Sequence, residues 1–375
     1  MSRSSLSQAR RVVVKIGTGA LTNSTGRFSR DHLHALCADL LSAASARELV
    51  VVSSGAIALG VERLRYPERP RDVPGKQACA AVGQSRLMRA WEDAFEDGNR
   101  TVAQVLLTHD DVQDRRRYLN ARHALLRLLA DGVIPIINEN DTVSVDELKF
   151  GDNDALAGLV TGLVEADLLV ILSDVEGLYT ADPRVDPAAR RLDVVPELTP
   201  EVLSLGGGSG STVGTGGMAT KLRAAARAVE VGAHCVIASG RVPGRLGQVL
   251  AGEDVGTLFL RREHRRGARS AWIAHALHPR GALVVDAGAR TAVVEGKRSL
   301  LPSGLRAVEG QFAEGDPVDL RVEGGAPFAR GLAAYPADEL RRIAGHKSAD
   351  IEALLGYRSL DEAVHRDDLV LLGEG

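Results

Sequence analysis

The sequence predicts an α/β protein: a three-layer αβα sandwich around a mainly parallel sheet, followed by a small β-rich domain. Three observations carry this expectation. Short β-branched runs alternate with long Ala- and Leu-rich segments through about residue 260, and strand–helix alternation builds parallel sheets with helices on both faces. The β-branched runs are continuously apolar, as strands covered on both faces require. Beyond that point the pattern changes to short β-like runs separated by Gly and Pro.

RVVVKIG (11–17) is the first expected strand, and 29–46 the first long helix. ELVVVSSG (48–55) is the second strand, leading through Ser53, Ser54 and Gly55 into an apolar helix. A helix at 75–97, the strand TVAQVLL (101–107), a helix at 115–131 and the strand GVIPIIN (132–138) follow. Next come a helix at 153–165, with Asp152 as its cap, and the strand DLLVILSD (167–174). The low-complexity stretch GGGSGSTVGTGG (206–217) feeds a helix at 217–232, and HCVIASG (234–240) is the sixth strand. RREHRRGARSAW (261–272) is basic and polar, as a linker would be. GALVVDAGA, RTAVVE, DPVDLRVE and ARGLAAY then supply the second domain's strands. The expected boundaries are 8–258 for the first domain, 259–277 for the linker, 278–360 for the second domain and 361–375 for a C-terminal tail.

With 375 residues the chain is long for one average domain. Aromatics are only 3%, so Val, Leu, Ile and Ala must build the core. A formal charge of −3 lacks the basic excess of a nucleic-acid binder. Cys37, Cys79 and Cys235 are odd in number and have no CxxC spacing. That argues against a disulfide framework or a zinc site and fits buried thiols in a reducing compartment. The polar N-terminus lacks a signal-peptide core, and no apolar run reaches the ~20 residues that span a bilayer. A cytoplasmic location without membrane partners is expected.

Several strands end in turns suited to anions. Lys15 is followed by Gly17, Thr18 and Gly19; small residues let backbone N–H groups approach an anion while the lysine supplies charge. A tight turn with a solvated lysine fits the same residues. Ser53-Ser54-Gly55 precedes a helix whose N-terminus can bind an anion, and either serine can also serve as its cap. In GTGGMATKLRAA (214–225) a Gly-rich chain runs directly into a helix with Lys221 in its first turns. It has the character of a phosphate cradle, though it is not the GxxxxGK[ST] P-loop. INEND (137–141) and GDND (151–154) bring carboxylates and amides to two neighbouring turns, as helix caps or as a site. His109, Asp110 and Asp111 are three adjacent residues that cannot easily converge on one metal, and read as a polar loop.

VVVKIGTGALT, VVSSGAIALG, KQACAAVGQSRLM, INEND, GDND, GLYTADPR and GTGGMATK together resemble the glutamate 5-kinases of the amino-acid kinase family. RRIAGHKSADIEALLGY (341–357) and VHRDD (364–368) resemble the PUA domain, a small β-rich barrel fused to many of these kinases. The resemblance runs in order along almost the whole chain.

It implies transfer of the γ-phosphoryl group of ATP to the side-chain carboxylate of L-glutamate, the first step toward proline. A glutamate carboxylate has a solution pKa near ~4.3 and needs no general base; repulsion between two anions is what opposes reaction, so positioned positive charge is the expected device. By position, Lys15 and Lys221 match the family's phosphate-contacting lysines, and Asp154 the residue between them that holds both ammonium groups. Gly17, Ser173 and Asp174, with Thr215, Gly216, Gly217, Met218, Ala219 and Thr220 leading to Lys221, match the nucleotide-binding positions. Ser54, Asp141 and Asn153 match the glutamate-binding ones. Mg²⁺ would ride on the ATP phosphates with few protein ligands. Gly19 stands where many members carry serine, and Ser173 where threonine is common. Proline as feedback inhibitor and a homo-oligomer are further implications.

PUA domains elsewhere bind RNA. Residues 281–375 hold 11 Lys/Arg against 16 Asp/Glu, however, the wrong sign for a phosphate-binding surface. A local patch at Arg341, Arg342, His346 and Lys347 remains the one basic candidate, and RNA is not an expected partner. The alternatives are a sister kinase acting on acetylglutamate or aspartate, and an RNA-binding accessory protein.

Overall fold

Val12, Val13, Val14 and Ile16 have no exposed surface, and the strand they form, β1 (Arg11–Ile16), lies inside the larger sheet. The computed structural model describes residues 3–23, 25–113, 115–143, 153–207, 217–261 and 279–372. The chain divides into two compact units, Met1–Glu263 and His264–Gly375.

In the first unit β1 leads through the short α1 (Thr18–Leu21) to α2 (Arg30–Ala44), β2 (Glu48–Ser53), α3 (Ala56–Leu64) and α4 (Val73–Glu96). β3 (Val102–Leu107), α5 (His109–Gln113), α6 (Arg115–Ala130), β4 (Ile134–Glu139), α7 (Asn153–Leu163) and β5 (Leu168–Ser173) follow. β6 (Val194–Val195), α8 (Pro200–Ser204), α9 (Met218–Glu230), β7 (His234–Ser239), α10 (Arg245–Ala251) and β8 (Thr257–Phe259) complete it. Among the described residues the sheet has the order β3-β4-β2-β1-β5-β7-β8-β6. All its pairings are parallel except β7 with β8.

Alternation of side chains explains the unbroken apolar runs. Val12, Val14 and Ile16 enter one core, with Leu33, Leu36 and Trp91 from α2 and α4. Val13 enters the other, with Leu156, Val160, Leu222 and Ala225 from α7 and α9. Each fully buried side chain of this size stabilises the fold by about 1.5–3 kcal/mol.

Caps set the helix starts. Ser29 accepts from the His32 N–H at 3.3 Å to begin α2, and Asp72 from the Gly75 N–H at 2.7 Å to begin α4. The cap expected from Ser53 or Ser54 is absent. Gly55 caps α3 with φ +111, a turn that a side chain would strain, and Ser53 is instead fully buried. Asp152 lies outside the described residues. His109–Asp111 begins α5 rather than a loop: the Asp111 carboxylate accepts from the Thr108 N–H at 2.8 Å, and the Thr108 hydroxyl from the Asp111 N–H at 3.2 Å.

β1 sits between β2 and β5, so successive connections leave it in both directions. Ile16 is in register with Ser53 and with Leu172, which brings the carboxyl ends of three strands to one edge. Open α/β sheets bind ligands beyond such an edge.

In the second unit β9 (Gly281–Val285), β10 (Leu305–Gly310), β11 (Pro317–Val322), β12 (Ala329–Leu332) and β13 (Leu369–Leu371) make a sheet ordered β10-β9-β11-β12-β13. Its own core gathers Leu283, Val318, Leu320, Tyr335, Leu340 and Ile351. Two expectations change here. RTAVVE is not a strand: Ala287–Val294 is a helix, begun by Asp286, which accepts from the Ala289 N–H at 2.8 Å. The segment 361–375 is not simply a tail, because Leu369–Leu371 pairs with β12. In the basic patch, Arg341 donates to the carbonyls of Val308 and Gly310, and Arg342 to that of Leu354. Both arginines of the patch are therefore held by main chain. No helix among the described residues is long and apolar enough to cross a membrane.

Candidate active site

Lys15 ends β1, Asp154 lies in the first turn of α7 and Lys221 in the first turn of α9. Folding brings them into contact. Lys15 Nζ is 2.5 Å from Asp154 Oδ1 and Lys221 Nζ is 3.2 Å from Asp154 Oδ2. Exposure is 6% for Lys15, 1% for Asp154 and 4% for Lys221, so these charges have left water and must satisfy one another. Burial pushes the Asp154 carboxyl up, but Lys15 and Lys221 outweigh it and hold it below the usual carboxylate range. The Thr220 hydroxyl adds a hydrogen bond to Asp154 Oδ2 at 2.7 Å. Two ammonium groups thus share one carboxylate, an arrangement suited to an anion.

The other sequence candidates fall around this cluster. Gly17 gives its N–H to the Leu172 carbonyl at 3.0 Å, so it contributes clearance rather than a donor. A Cβ there would stand 3.4 Å from Lys15 Nζ. Ser173 is buried at the end of β5 and its hydroxyl donates to Asp174 Oδ1 at 3.0 Å. A Cβ on Gly19 would come 3.2 Å from Asp174 Cβ, which ties the serine-to-glycine departure to this turn. Gly217 is the residue before α9, Met218 packs against the second core and Ala219 precedes Thr220 in the helix. Thr215 and Gly216 lie outside the described residues.

The glutamate-position residues form a second polar group. Asn153 Nδ2 donates to Ser54 Oγ at 3.0 Å and to the Ser53 carbonyl at 3.1 Å. Asp141 is 8% exposed and lines a cavity of about 270 Å³ with Gln84, Gln104, Glu139 and Asn140. Burial pushes its carboxyl up to about 7, Glu139 adds to the rise, and Arg69 opposes it.

Sequence reasoning gave no role to Gln84, Trp91, Asn138 or Glu139. Asn138 Oδ1 accepts from Asn153 at 3.0 Å, Asn138 Nδ2 donates to Gln84 Oε1 at 2.8 Å, and Trp91 Nε1 donates to Ser53 Oγ at 3.0 Å. Asn138 and Glu139 stand inside INEND, which was the available signal. Gln84 and Trp91 occupy an amphipathic helix that gives none.

Residues 10–239 match the model of the amino acid kinase family and residues 281–355 that of the PUA domain. The chain is 71% identical over 370 residues to the glutamate 5-kinase of Myxococcus xanthus, covering 99% of this chain and 98% of that one. It is 53% identical to the glutamate 5-kinase of Anaeromyxobacter dehalogenans, with both chains covered in full. Among solved structures it is similar to carbamate kinase from Giardia lamblia bound to AMP-PNP, at a TM-score of 0.49 and 18% identity, covering 68% of this chain and 100% of that one. The chain belongs to the amino acid kinase family and, within it, to the glutamate 5-kinases.

Proposed function

We infer that this chain transfers the γ-phosphoryl group of ATP to the side-chain carboxylate of L-glutamate, giving L-glutamyl 5-phosphate for proline biosynthesis. The observation that carries the reading is the buried Lys15–Asp154–Lys221 cluster in a chain 71% identical over its length to a glutamate 5-kinase. The acceptor is already a carboxylate, so no base is required and the barrier is the approach of two anions. Lys15 and Lys221 offset that repulsion as charge spreads over the transferring group. Asp154 faces both ammonium groups and aims them, and Thr220 holds Asp154. Pre-set donors of this kind cost no reorganisation at the moment of reaction.

On this reading Ser173, Asp174 and the start of α9 serve the nucleotide, and Ser54, Asp141 and Asn153 the glutamate. Asp141 Oδ1 and Asn153 Oδ1 are buried and have no hydrogen-bond partner among the described residues, which suits a substrate ammonium group. Mg²⁺ fits as an ion carried by the nucleotide. Both Asp154 oxygens already face lysines, which leaves the phosphate oxygens as the ion's hard ligands.

The test is an acceptor panel of L-glutamate, N-acetylglutamate and aspartate with ATP and Mg²⁺, trapping the acyl phosphate with hydroxylamine. Hydroxamate formed from L-glutamate alone is the expected result. Preference for either other acid would overturn the assignment.

A further inference from the structure

A line of side-chain amides runs through the first unit, and main chain fixes its direction. Asn153 Nδ2 donates to the Ser53 carbonyl at 3.1 Å, and a carbonyl only accepts. Asn153 Nδ2 also donates to Asn138 Oδ1 at 3.0 Å, and the Glu139 backbone N–H, which only donates, reaches that oxygen at 3.0 Å. Asn138 therefore presents Nδ2 to Gln84, whose Oε1 accepts at 2.8 Å. No amide in the line can be turned over without opposing a main-chain group.

What remains at the far end follows. Gln84 must direct its NH₂ group away from Asn138, and Gln84 Nε2 is buried with no hydrogen-bond partner among the described residues. Leaving a buried donor unpaired is costly and needs a reason. Gln84 lines the cavity beside Glu139 and Asp141, and Asp141 Oδ1 is likewise buried and unpartnered. An unpaired donor and an unpaired acidic acceptor on the walls of one cavity match the two ends of an amino-acid zwitterion.

We propose that Gln84 Nε2 binds the α-carboxylate of the acceptor substrate while Asp141 receives its α-ammonium, making Gln84 a specificity-determining residue for free α-amino acids. The proposal rests on glutamate being the acceptor. Helix α4 holds Gln84 in place for this role. Its Trp91 Nε1 donates to Ser53 Oγ at 3.0 Å, and Gly83 abuts the Ala56 carbonyl, so α4 is held against the end of β2 and the start of α3.

Gln84→Glu is the informative variant, because it keeps an acceptor for Asn138 and replaces only the donor. The full chain is assayed by hydroxamate trapping with three acceptors. These are L-glutamate; 4-aminobutyrate, which lacks the α-carboxylate; and the α-amide of glutamate, whose carboxamide can donate to the new carboxylate. For L-glutamate kcat/KM is expected to fall about 10- to 100-fold, mainly through KM, while 4-aminobutyrate changes by less than about threefold. The α-amide gains on L-glutamate by at least about tenfold. Gln84→Met should lose the same preference for L-glutamate over 4-aminobutyrate without that gain.

Equal losses on L-glutamate and 4-aminobutyrate overturn the proposal, since Gln84 would then act on the fold alone. If neither variant folds, the wild-type chain decides. A preference for L-glutamate over 4-aminobutyrate of less than about threefold would show that no group reads the α-carboxylate. A wild-type chain that phosphorylates none of the three acceptors would instead refute the glutamate reading itself.

Discussion

At the scale of single residues, charge pairing decides what each substitution does. Lys15→Ala and Lys221→Ala each leave Asp154 with one ammonium partner, so both variants should fold. Each should lose about 10²–10³ in turnover, as loss of one pre-set donor typically does. A hydroxamate rate above roughly a tenth of wild type would contradict the role. Asp154→Asn is different in kind, because it removes the negative charge that two buried ammonium groups share. It should cost about 3–5 kcal/mol in urea unfolding as well as activity. Asp141 makes a pH prediction. Its folded pKa of about 7 exceeds the ordinary 3.8, so the folded protein holds this proton more tightly than the unfolded chain. Without substrate, stability contributed by the protonated form is present at low pH and is lost as pH rises through about 7. The ionised form is the one that receives an ammonium group. KM for glutamate should therefore fall as pH rises through about 7 and then level off. Asp141→Asn should raise KM and flatten the profile, and a wild-type KM indifferent to pH would exclude this role. Lys15 and Lys221 stood out beside glycine-rich turns and Asp154 through the resemblance alone; that the three side chains meet is visible only in the fold. Gln84 was not legible, since an unpaired donor exists only once Asn138 and Asn153 have taken their partners.

At the scale of elements, α3 and α4 approach so closely that their backbones touch. A Cβ on Gly83 would stand 1.7 Å from the Ala56 carbonyl oxygen, and one on Gly60 1.8 Å from that of Cys79. Gly83→Ala must push the helices apart, and overpacking of this kind costs about 1–3 kcal/mol or more. The same shift displaces Gln84 from Asn138, so KM for glutamate should rise along with the loss of stability. A variant with a wild-type urea midpoint would show that the contact relaxes without cost. Central strands were readable because burial on both faces leaves an unbroken apolar run. RTAVVE misled for a related reason: its β-branched residues favour strand, whereas the Asp286 cap and the core around Val293 favour helix, and tertiary context won. β8 was missed because three residues carry too little pattern to distinguish an antiparallel return from a loop.

For the molecule as a whole, each unit has its own hydrophobic core, and every candidate site residue lies between Lys15 and Lys221. A chain ending at residue 263 is expected to fold and to keep kcat within about threefold of the full chain. An unfolded or inactive product would show that the second unit supports the chemistry. The two-unit plan was visible as a change of pattern near residue 260, while β13 was hidden because a strand of three residues carries too little pattern. One further consequence follows from β1 lying between β2 and β5. On the ribosome β1 is made before its partner β5, which emerges about 150 residues later, and before Lys221, about 200 residues later, a wait of roughly 10–40 s at ordinary elongation speeds. Until then the nascent chain carries an apolar strand with β2 on one edge and the other edge open, and a lysine without its final neighbours, which makes this interval the one in which a chaperone has most to protect.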